Sequence, residues 1–274
     1  MSESCNGSCS TCPSAGSCSK LPDSTRQGVG RIIAVGSGKG GVGKSTVSAL
    51  LASALNRAGY KVGLLDADVT GPSIPRLLGV TTAPYVQDNK IQMPVSAKGI
   101  KVLSVNLLLQ DDGAPVVWRG PLISGTIKQF WEDGAWGGLD FAIIDLPPGT
   151  ADAPLTVMQT VKVDGMLAVT MPQGLSSMIV QKQIHLSEMM NVPLLGLIEN
   201  MSYAVCPHCG ETWELFGSSH REEIERTFGL KTLARIPVDR KLAELCDAGR
   251  IEDYENDELM QSLVACATSV TPRN

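Results

Sequence analysis

The sequence has little of several features that mark other classes of protein. Aromatic residues make up 4% of its 274 residues, the net charge is −5, and no segment is rich in lysine and arginine, which argues against nucleic-acid binding. The longest apolar runs, such as 166–171 and 192–198, are far too short to cross a bilayer. The N-terminus, Met-Ser-Glu-Ser-Cys, lacks the basic and apolar regions of a secretory signal. These absences predict a cytoplasmic protein that binds neither nucleic acid nor membranes.

Short apolar runs alternate along the chain with segments of helical periodicity. This alternation predicts an α/β fold with a doubly wound, mainly parallel sheet. We expect strands at 31–35, 61–66, 140–145, 165–170, 194–199 and 231–236, and a small inserted hairpin made of 91–95 and 100–105. We expect helices at 47–57, 121–131, 175–190, 218–228, 239–248 and 257–269. Residues 1–27 are rich in Ser, Gly and Cys and predict a flexible tail, followed by one domain over 28–274.

The segment 36–46, Gly-Ser-Gly-Lys-Gly-Gly-Val-Gly-Lys-Ser-Thr, contains a complete P-loop pattern between a predicted strand and a predicted helix. The glycines leave room for backbone N–H groups to surround phosphates at the helix N-terminus, where the dipole favours anions. We expect Lys44 to reach the β- and γ-phosphates of ATP and the Ser45 hydroxyl to bind Mg²⁺. The predicted nucleotide-binding residues of the loop are Gly38, Lys39, Gly40, Gly41, Val42, Gly43, Lys44, Ser45 and Thr46.

Lys39 is a second lysine in this loop, and an ordinary P-loop does not need it. Because the loop backbone surrounds its own phosphates, Lys39 projects more readily outward, toward a nucleotide held by a second copy of the chain. The alternative is a surface lysine whose ammonium group stays in water. With Lys39 the sequence resembles the deviant Walker A ATPases, which include MinD, ParA, the nitrogenase iron protein and the Mrp/ApbC carriers. The resemblance implies that Lys39 contacts ATP across a homodimer interface.

Carboxylates follow two of the predicted strands. Asp145, before Leu-Pro-Pro-Gly-Thr, is expected to hold Mg²⁺ through water, although a strand-terminal Asp often only caps a turn. Gly149 is expected to offer its N–H to the γ-phosphate as the moving part of a switch. The resemblance implies that Asp68 positions the attacking water, which leaves Asp66 as an outer-shell partner of Mg²⁺. Spacing alone does not choose between these two, and both could cap the short helix after Pro72.

Asn200 follows the predicted strand 194–199. Its amide can bond both the donor and the acceptor edge of a base. The resemblance suggests that Asn200 contacts adenine, with the backbone near Pro237 as a second wall of the base site. Without the resemblance, an Asn after a strand is usually a turn residue.

Cys206 and Cys209 form a Cys-Pro-His-Cys knuckle whose two thiolates supply half of a four-coordinate metal site. The other donors could come from the N-terminal cysteines, from His208 or His220, or from the same pair in a second subunit. Since Lys39 already favours a face-to-face dimer, we prefer a [4Fe–4S] cluster bridging two copies. Zinc is the alternative, because thiolate ligation does not separate the two metals.

The tail contains four of the eight cysteines, enough for one more cluster: Cys5, Cys9, Cys12 and Cys18. The last two of their spacings match a cytosolic scaffold subfamily with an N-terminal cluster, whereas the first gap is much shorter. A second cluster, zinc and an unmetallated tail stay open.

Several motifs together resemble the Mrp/ApbC iron–sulfur carrier ATPases: 117–121, 127–130, 144–150 and 199–202, the last followed by the cysteine pair. The resemblance implies ATP hydrolysis coupled to carrying a cluster to apo iron–sulfur client proteins, with cluster donor and scaffold proteins as further partners. Alternatives are a MinD- or ParA-like positioning ATPase and a targeting ATPase whose dimer is stapled by zinc. A MinD-like protein would need a basic amphipathic last helix, and the predicted helix 257–269 has no Lys or Arg. Electron transfer is disfavoured because the nitrogenase iron protein places its cysteines elsewhere.

Overall fold

The computed structural model describes residues 26–69, 71–108, 120–149, 152–173 and 176–273. Its strands are β1 (Arg31–Gly36), β2 (Val62–Asp66), β3 (Tyr85–Gln87), β4 (Lys90–Gln92), β5 (Lys101–Ser104), β6 (Phe141–Asp145), β7 (Gly165–Thr170), β8 (Leu194–Glu199), β9 (Ala204–Val205), β10 (Thr212–Trp213) and β11 (Thr232–Arg235). Its α-helices are α1 (Lys44–Arg57), α2 (Ile74–Leu77), α3 (Gly120–Asp133), α4 (Asp152–Thr160), α5 (Ser176–Met189), α6 (Arg221–Phe228), α7 (Arg240–Asp247) and α8 (Asp257–Thr268).

Seven strands form one parallel sheet in the order β11-β8-β7-β1-β6-β2-β5. The doubly wound parallel sheet predicted from the alternating pattern is therefore confirmed. β1 lies between β6 and β7, and the chain winds away from it in both directions. In sheets of this kind ligands bind beyond the carboxyl ends of the strands near such a reversal. The segment that leaves the carboxyl end of β1 is the P-loop.

Helices cover both faces of the sheet and bury two apolar clusters. One cluster packs side chains of α1 and α8, among them Leu50, Leu55 and Leu263, against one face. The other packs α3 and α4 against the opposite face and includes Trp131 and Trp136. Because both faces are covered, every residue of β6 and β7 is buried, which explains why these strands are continuous apolar runs. No helix in the described ranges combines the length and the hydropathy that crossing a membrane requires.

The predicted hairpin of 91–95 and 100–105 is present only as one antiparallel bridge, between Val95 and Lys101. β5 also joins the main sheet as an edge strand parallel to β2, which was not predicted, and a further hairpin is formed by β3 and β4. The two segments still meet, because the Val102 N–H donates to the Pro94 carbonyl at 2.9 Å. Val102, Leu103 and Val105 are fully buried at the sheet edge. A two-stranded insert could not bury them on both faces, whereas the helix-covered sheet does.

Asp164, whose side chain is fully buried, ties together the two ends of the described chain. Its carboxylate accepts hydrogen bonds from the Arg26 guanidinium at 2.6 and 2.8 Å, from the Ile32 N–H at 2.7 Å and from the Arg273 N–H at 2.6 Å. A two-point Arg–carboxylate pair with further backbone donors satisfies a buried charge. Arg26, predicted to lie in the tail, is thus bonded to the folded domain. The tail cysteines Cys5, Cys9, Cys12 and Cys18 lie outside the described residues.

Candidate nucleotide and metal sites

The P-loop connects β1 to α1, and two of its glycines are required by geometry. Gly41 and Gly43 have φ angles of +80° and +77°, a left-handed conformation that is costly for residues with a side chain. A Cβ atom on Gly43 would also collide with the Asn200 side-chain amide. The loop and the start of α1 line a cleft of about 230 Å³. Its lining includes the predicted residues Gly40, Gly41, Gly43, Lys44, Ser45, Thr46 and Asp68.

Lys44, Ser45 and Asp145 form one hydrogen-bonded group at this cleft. Lys44 Nζ lies 2.8 Å from Asp145 Oδ2 and 3.9 Å from Asp68 Oδ2. The Ser45 hydroxyl donates to Asp145 Oδ2 at 2.6 Å, and the Ser48 hydroxyl, one turn further along α1, donates to Oδ1 at 2.7 Å. The serine hydroxyl and the buried carboxylate are the oxygen ligands that Mg²⁺ takes beside nucleotide phosphates. The donor set therefore fits the predicted metal.

Asp66 is a buried carboxyl group beside this cluster. It accepts four hydrogen bonds of 3.1–3.2 Å, from the N–H groups of Asp68, Ser73 and Ile74 and from the hydroxyl of Ser104. Burial raises the pKa of Asp66 to about 8, and the neighbouring Asp145 carboxylate adds to the rise. The bond from Ile74 and the charge of Lys44 act in the opposite direction but do not offset the burial. Unlike Asp66, Asp68 lines the cleft, and its role in positioning water stays a prediction.

The raised pKa of Asp66 predicts a pH-dependent stability. The carboxyl group binds more protons in the folded protein than in the unfolded chain between its ordinary pKa of 3.8 and about 8. Its contribution to the free energy of unfolding therefore falls as pH rises through this window. We expect the melting temperature, measured without Mg²⁺ and nucleotide, to fall less between about pH 6 and about pH 8 in Asp66→Asn than in the wild type. Asp140→Asn, at an exposed position, is the control, and equal pH dependence in all three proteins would contradict the prediction.

Gly149, the predicted switch residue, is bonded to the strand end that leads into the P-loop. Its N–H donates to the Ser37 carbonyl at 2.9 Å, and its φ of +91° is one that glycine adopts most readily. To donate to a phosphate, this N–H would have to leave Ser37. The predicted contact with the γ-phosphate thus requires the Gly149 peptide to turn.

Lys39 is partly buried, and its Nζ donates a hydrogen bond to Gln173 Oε1, in the segment after β7. The loop backbone at Lys39 is also bonded, because the Ser37 hydroxyl donates to the Lys39 carbonyl at 2.9 Å. In the single chain, Gln173 therefore holds the ammonium group that was predicted to reach a second copy. A contact across a dimer would require Lys39 to leave this partner, and its role stays a prediction.

Asn200 and Pro237, predicted to flank adenine, lie at the same edge of the sheet. The Ile236 N–H donates to the Glu199 carbonyl at 2.9 Å, which places the two strand ends side by side. Asn200 is buried, and its Nδ2 donates to the Val42 carbonyl of the P-loop at 2.9 Å. The amide nitrogen is therefore occupied by the loop. The predicted contact with adenine stays a prediction.

Cys206 and Cys209 lie in the connection between β9 and β10. The Cys206 N–H donates to the Glu211 carbonyl, and the Gly210 N–H donates to the Cys206 carbonyl, both at 2.9 Å. The pKa of the Cys206 thiol is lowered because the backbone N–H groups of Cys209 and His208 bond to its sulfur, with a further bond from the Cys209 thiol. A thiol that ionises easily is a better metal ligand. The metal-binding role of Cys206 and Cys209 stays a prediction.

The described residues hold no group of three or more His, Cys, Asp and Glu side chains placed to bind a metal ion. In this conformation neither His208 nor His220 forms such a group with the cysteine pair, and His220 lies 3.3 Å from the Glu223 carboxylate. Two thiols provide two ligands, so a four-coordinate centre needs further donors. All three predicted completions of the site stay predictions.

Comparison with known proteins agrees with this combination of sites. A profile of the ParA family, described as NUBPL iron-transfer P-loop NTPases, matches residues 28–271. The chain belongs to this family. The resemblance to iron–sulfur carrier ATPases that the motifs indicated is thereby confirmed.

Individual relatives match most of the length of this chain. An iron–sulfur cluster carrier protein of Methanocaldococcus jannaschii is 45% identical over 260 residues, which are 89% of each chain. A protein of the same name from Clostridium perfringens is 39% identical over 94% of this chain and 98% of its own. Among solved structures, a nucleotide-binding protein of Archaeoglobus fulgidus in complex with ADP is 46% identical with a TM-score of 0.76, and the match covers 84% of this chain and 90% of that one.

More distant structures share the fold of this chain. The MinD cell division protein of Aquifex aeolicus is 20% identical with a TM-score of 0.62, and the match covers 89% of this chain and 98% of that one. At this identity the likeness concerns the sheet and its helices alone.

Four polar residues at the candidate nucleotide site were not predicted: Ser48, Ser73, Ser104 and Gln173. Ser48 had a usable signal, because it lies four residues after Lys44 and therefore on the same helix face. Ser104 could not be found, since its strand was assigned to the inserted hairpin rather than to the edge of the sheet beside β2.

Proposed function

We propose that the protein is an ATP-dependent iron–sulfur cluster carrier that binds a [4Fe–4S] cluster at a homodimer interface, hydrolyses ATP and transfers the cluster to apoproteins. The observation that carries the proposal is the pair Cys206 and Cys209, which supplies half of a coordination sphere. The pair lies on the segment that follows β8, and β8 ends at the same edge of the sheet as the P-loop. The names of the relatives support the cargo, and the family supports nucleotide hydrolysis. Cluster donor or scaffold proteins are further proposed partners, and the cytoplasm, where thiols stay reduced, is the proposed compartment.

The nucleotide chemistry follows from the group around Asp145. Lys44 exchanges its contact with Asp145 for the β- and γ-phosphates of ATP. Ser45, and Asp145 through water, would hold Mg²⁺, which would neutralise phosphate charge. Asp68 orients the attacking water, and Lys39 from the second copy stabilises the charge on the transferred phosphoryl group. Gly149 donates its N–H to the γ-phosphate, so that hydrolysis releases the switch.

The surface around the cysteine pair supports an interface there. Four large apolar side chains near the pair are 42–52% exposed: Val205, Trp213, Leu215 and Phe216. Clustered exposed apolar groups mark interaction surfaces. In a two-fold dimer the same patch meets itself, so that four thiolates converge on the axis. The apolar groups then surround the cluster and limit the access of water.

A short segment links the two sites. Asn200 bonds the P-loop, and Ser202, two residues later, donates to the buried Glu199 carboxylate. Arg235 donates to the Ser202 hydroxyl at 2.8 Å, and its guanidinium carbon lies 5.1 Å from the centre of the Tyr203 ring. These contacts fix residues 200–203, which connect the P-loop contact at Asn200 to Cys206. We propose that movement of the P-loop on nucleotide exchange alters the cysteine segment through them.

The test is metal analysis on protein purified without oxygen, with Cys5, Cys9, Cys12 and Cys18 replaced by Ser to isolate the central site. We expect about four iron and about four sulfide ions per dimer, a broad visible absorbance, and transfer of the cluster to an apoprotein. Zinc without sulfide would replace the proposal by a zinc-stapled dimer. A monomer that keeps its full iron content would contradict the bridging site.

A further inference from the structure

Gln183 is a buried amide that the nucleotide chemistry above does not use. It lies in the middle of α5, and only 1% of it is exposed. Among the residues that the structure describes, its Oε1 has no hydrogen-bond partner. Its Nε2 lies 3.5 Å from the Gly149 carbonyl oxygen, at the outer limit of a hydrogen bond. A buried amide with such poor partners is unusual and calls for an explanation.

The amide lies directly between the P-loop strand and the switch. A Cβ atom on Gly36, the last residue of β1, would be 2.7 Å from Gln183 Oε1, so the missing side chain at Gly36 makes the space that the amide fills. The same virtual atom would lie 3.4 Å from the Leu146 side chain and 3.5 Å from the Met166 sulfur. In this apolar surrounding a Met or Leu would pack without leaving a polar atom unpaired. Packing alone therefore does not explain a glutamine at this position.

Gly149 is the residue whose backbone the proposed mechanism requires to turn. The Gly149 N–H is bonded to the Ser37 carbonyl and must leave it to reach a γ-phosphate. Its N–H and its carbonyl lie in two successive peptide planes that are joined at the Gly149 Cα, so a change in the Gly149 φ and ψ angles moves one relative to the other. A donor 3.5 Å from the Gly149 oxygen needs a shift of roughly half an ångström to reach an ordinary N–H···O distance.

We propose that Gln183 is a positioning residue for this switch, and that its side-chain amide holds the Gly149 carbonyl in the ATP-bound conformation. The inference rests on the proposed function, in which Gly149 contacts the γ-phosphate. A closer hydrogen bond between this amide and the Gly149 carbonyl in the ATP-bound conformation would make Gln183 favour that conformation over the one with the 3.5 Å contact. A residue that acts in this way changes turnover rather than the affinity for ADP.

Gln183→Met tests the proposal, with Gln181→Met, at an exposed position of the same helix, as the matched control. We expect Gln183→Met to keep the wild-type melting temperature or exceed it, since it removes a poorly paired buried amide. Its kcat for ATP should fall about tenfold, with the Kd for ADP unchanged. Amide hydrogen exchange of a peptide covering 142–160 should slow in the wild type on adding Mg²⁺ and a non-hydrolysable ATP analogue relative to ADP. We expect Gln183→Met to lose that difference and Gln181→Met to keep it.

Wild-type kcat in Gln183→Met, or an undiminished analogue-dependent slowing of exchange, would overturn the positioning role. If Gln183→Met lowers the melting temperature together with kcat and the exchange difference, Gln183 supports the structure in general, and the positioning role is overturned. If the wild type itself does not hydrolyse ATP, the proposed function fails, while the exchange comparison still decides the role of Gln183.

Discussion

Replacing Cys206 and Cys209 together with serine is expected to remove the iron and sulfide of the proposed interface cluster, one cluster per dimer. A serine hydroxyl stays protonated at neutral pH and is a hard ligand, whereas iron–sulfur clusters require thiolates. Backbone N–H groups of Cys209 and His208 also lower the pKa of the Cys206 thiol, which favours the thiolate that the proposed cluster requires. The loss should be essentially complete rather than partial, because two copies of the variant lose all four central ligands.

The measurement is iron and sulfide content with the visible spectrum, on full-length chains reconstituted without oxygen. Cys246→Ser is the matched control, since burial, with a smaller contribution from Asp247, raises the pKa of that thiol. We expect the control to keep the full cluster content. A separate variant lacking Cys5, Cys9, Cys12 and Cys18 distinguishes iron bound by the tail. Full cluster content in the Cys206, Cys209 double variant would refute the bridging site.

The second large effect is expected from Lys44→Ala, which should lower ATP turnover by about 1,000-fold and also weaken nucleotide binding. The Lys44 side chain is 6% exposed and faces Asp145 and Asp68. When ATP binds, its phosphates would replace these carboxylates as the negatively charged partners of Lys44. Alanine leaves the phosphates without this charge. It also leaves the buried Asp145 carboxylate without its cation, so the melting temperature should fall in the absence of Mg²⁺.

Lys39→Ala separates the two lysines of the loop. Because Lys39 is held by Gln173 in the single chain and is proposed to act on the partner's nucleotide, its removal should lower turnover at least about 100-fold but leave ATP affinity near the wild-type value. Turnover and equilibrium binding of ATP are measured on both variants at saturating Mg²⁺. Equal loss of binding in the two variants would argue against a role of Lys39 across the dimer.

Much of the fold was visible as local pattern. The strands of the central sheet on either side of the P-loop are continuous apolar runs, and their predicted bounds differ from the structure by about a residue. The short strands β3, β9 and β10 were not predicted at all, and β5 and α4 were not anticipated correctly. β5 was placed in a hairpin because its run follows closely on another apolar run, and α4 was missed because Pro154 and the glycine and prolines before it indicate a turn. Proline is tolerated in the first turn of a helix, so the local signal misled.

The candidate functional residues that the sequence revealed belong to contiguous motifs. A P-loop, with its second lysine, and a pair of thiols two residues apart depend on neighbouring residues, and local geometry is enough to recognise them. The contacts that tune these motifs join residues far apart in the chain. Asp145 meets Ser45 and Ser48 across about a hundred residues, and Gln183 meets Gly149 only because α5 packs beneath the switch. Strand order and burial, which set these distances and the raised pKa of Asp66, arise from packing of the whole chain and leave no local pattern to read.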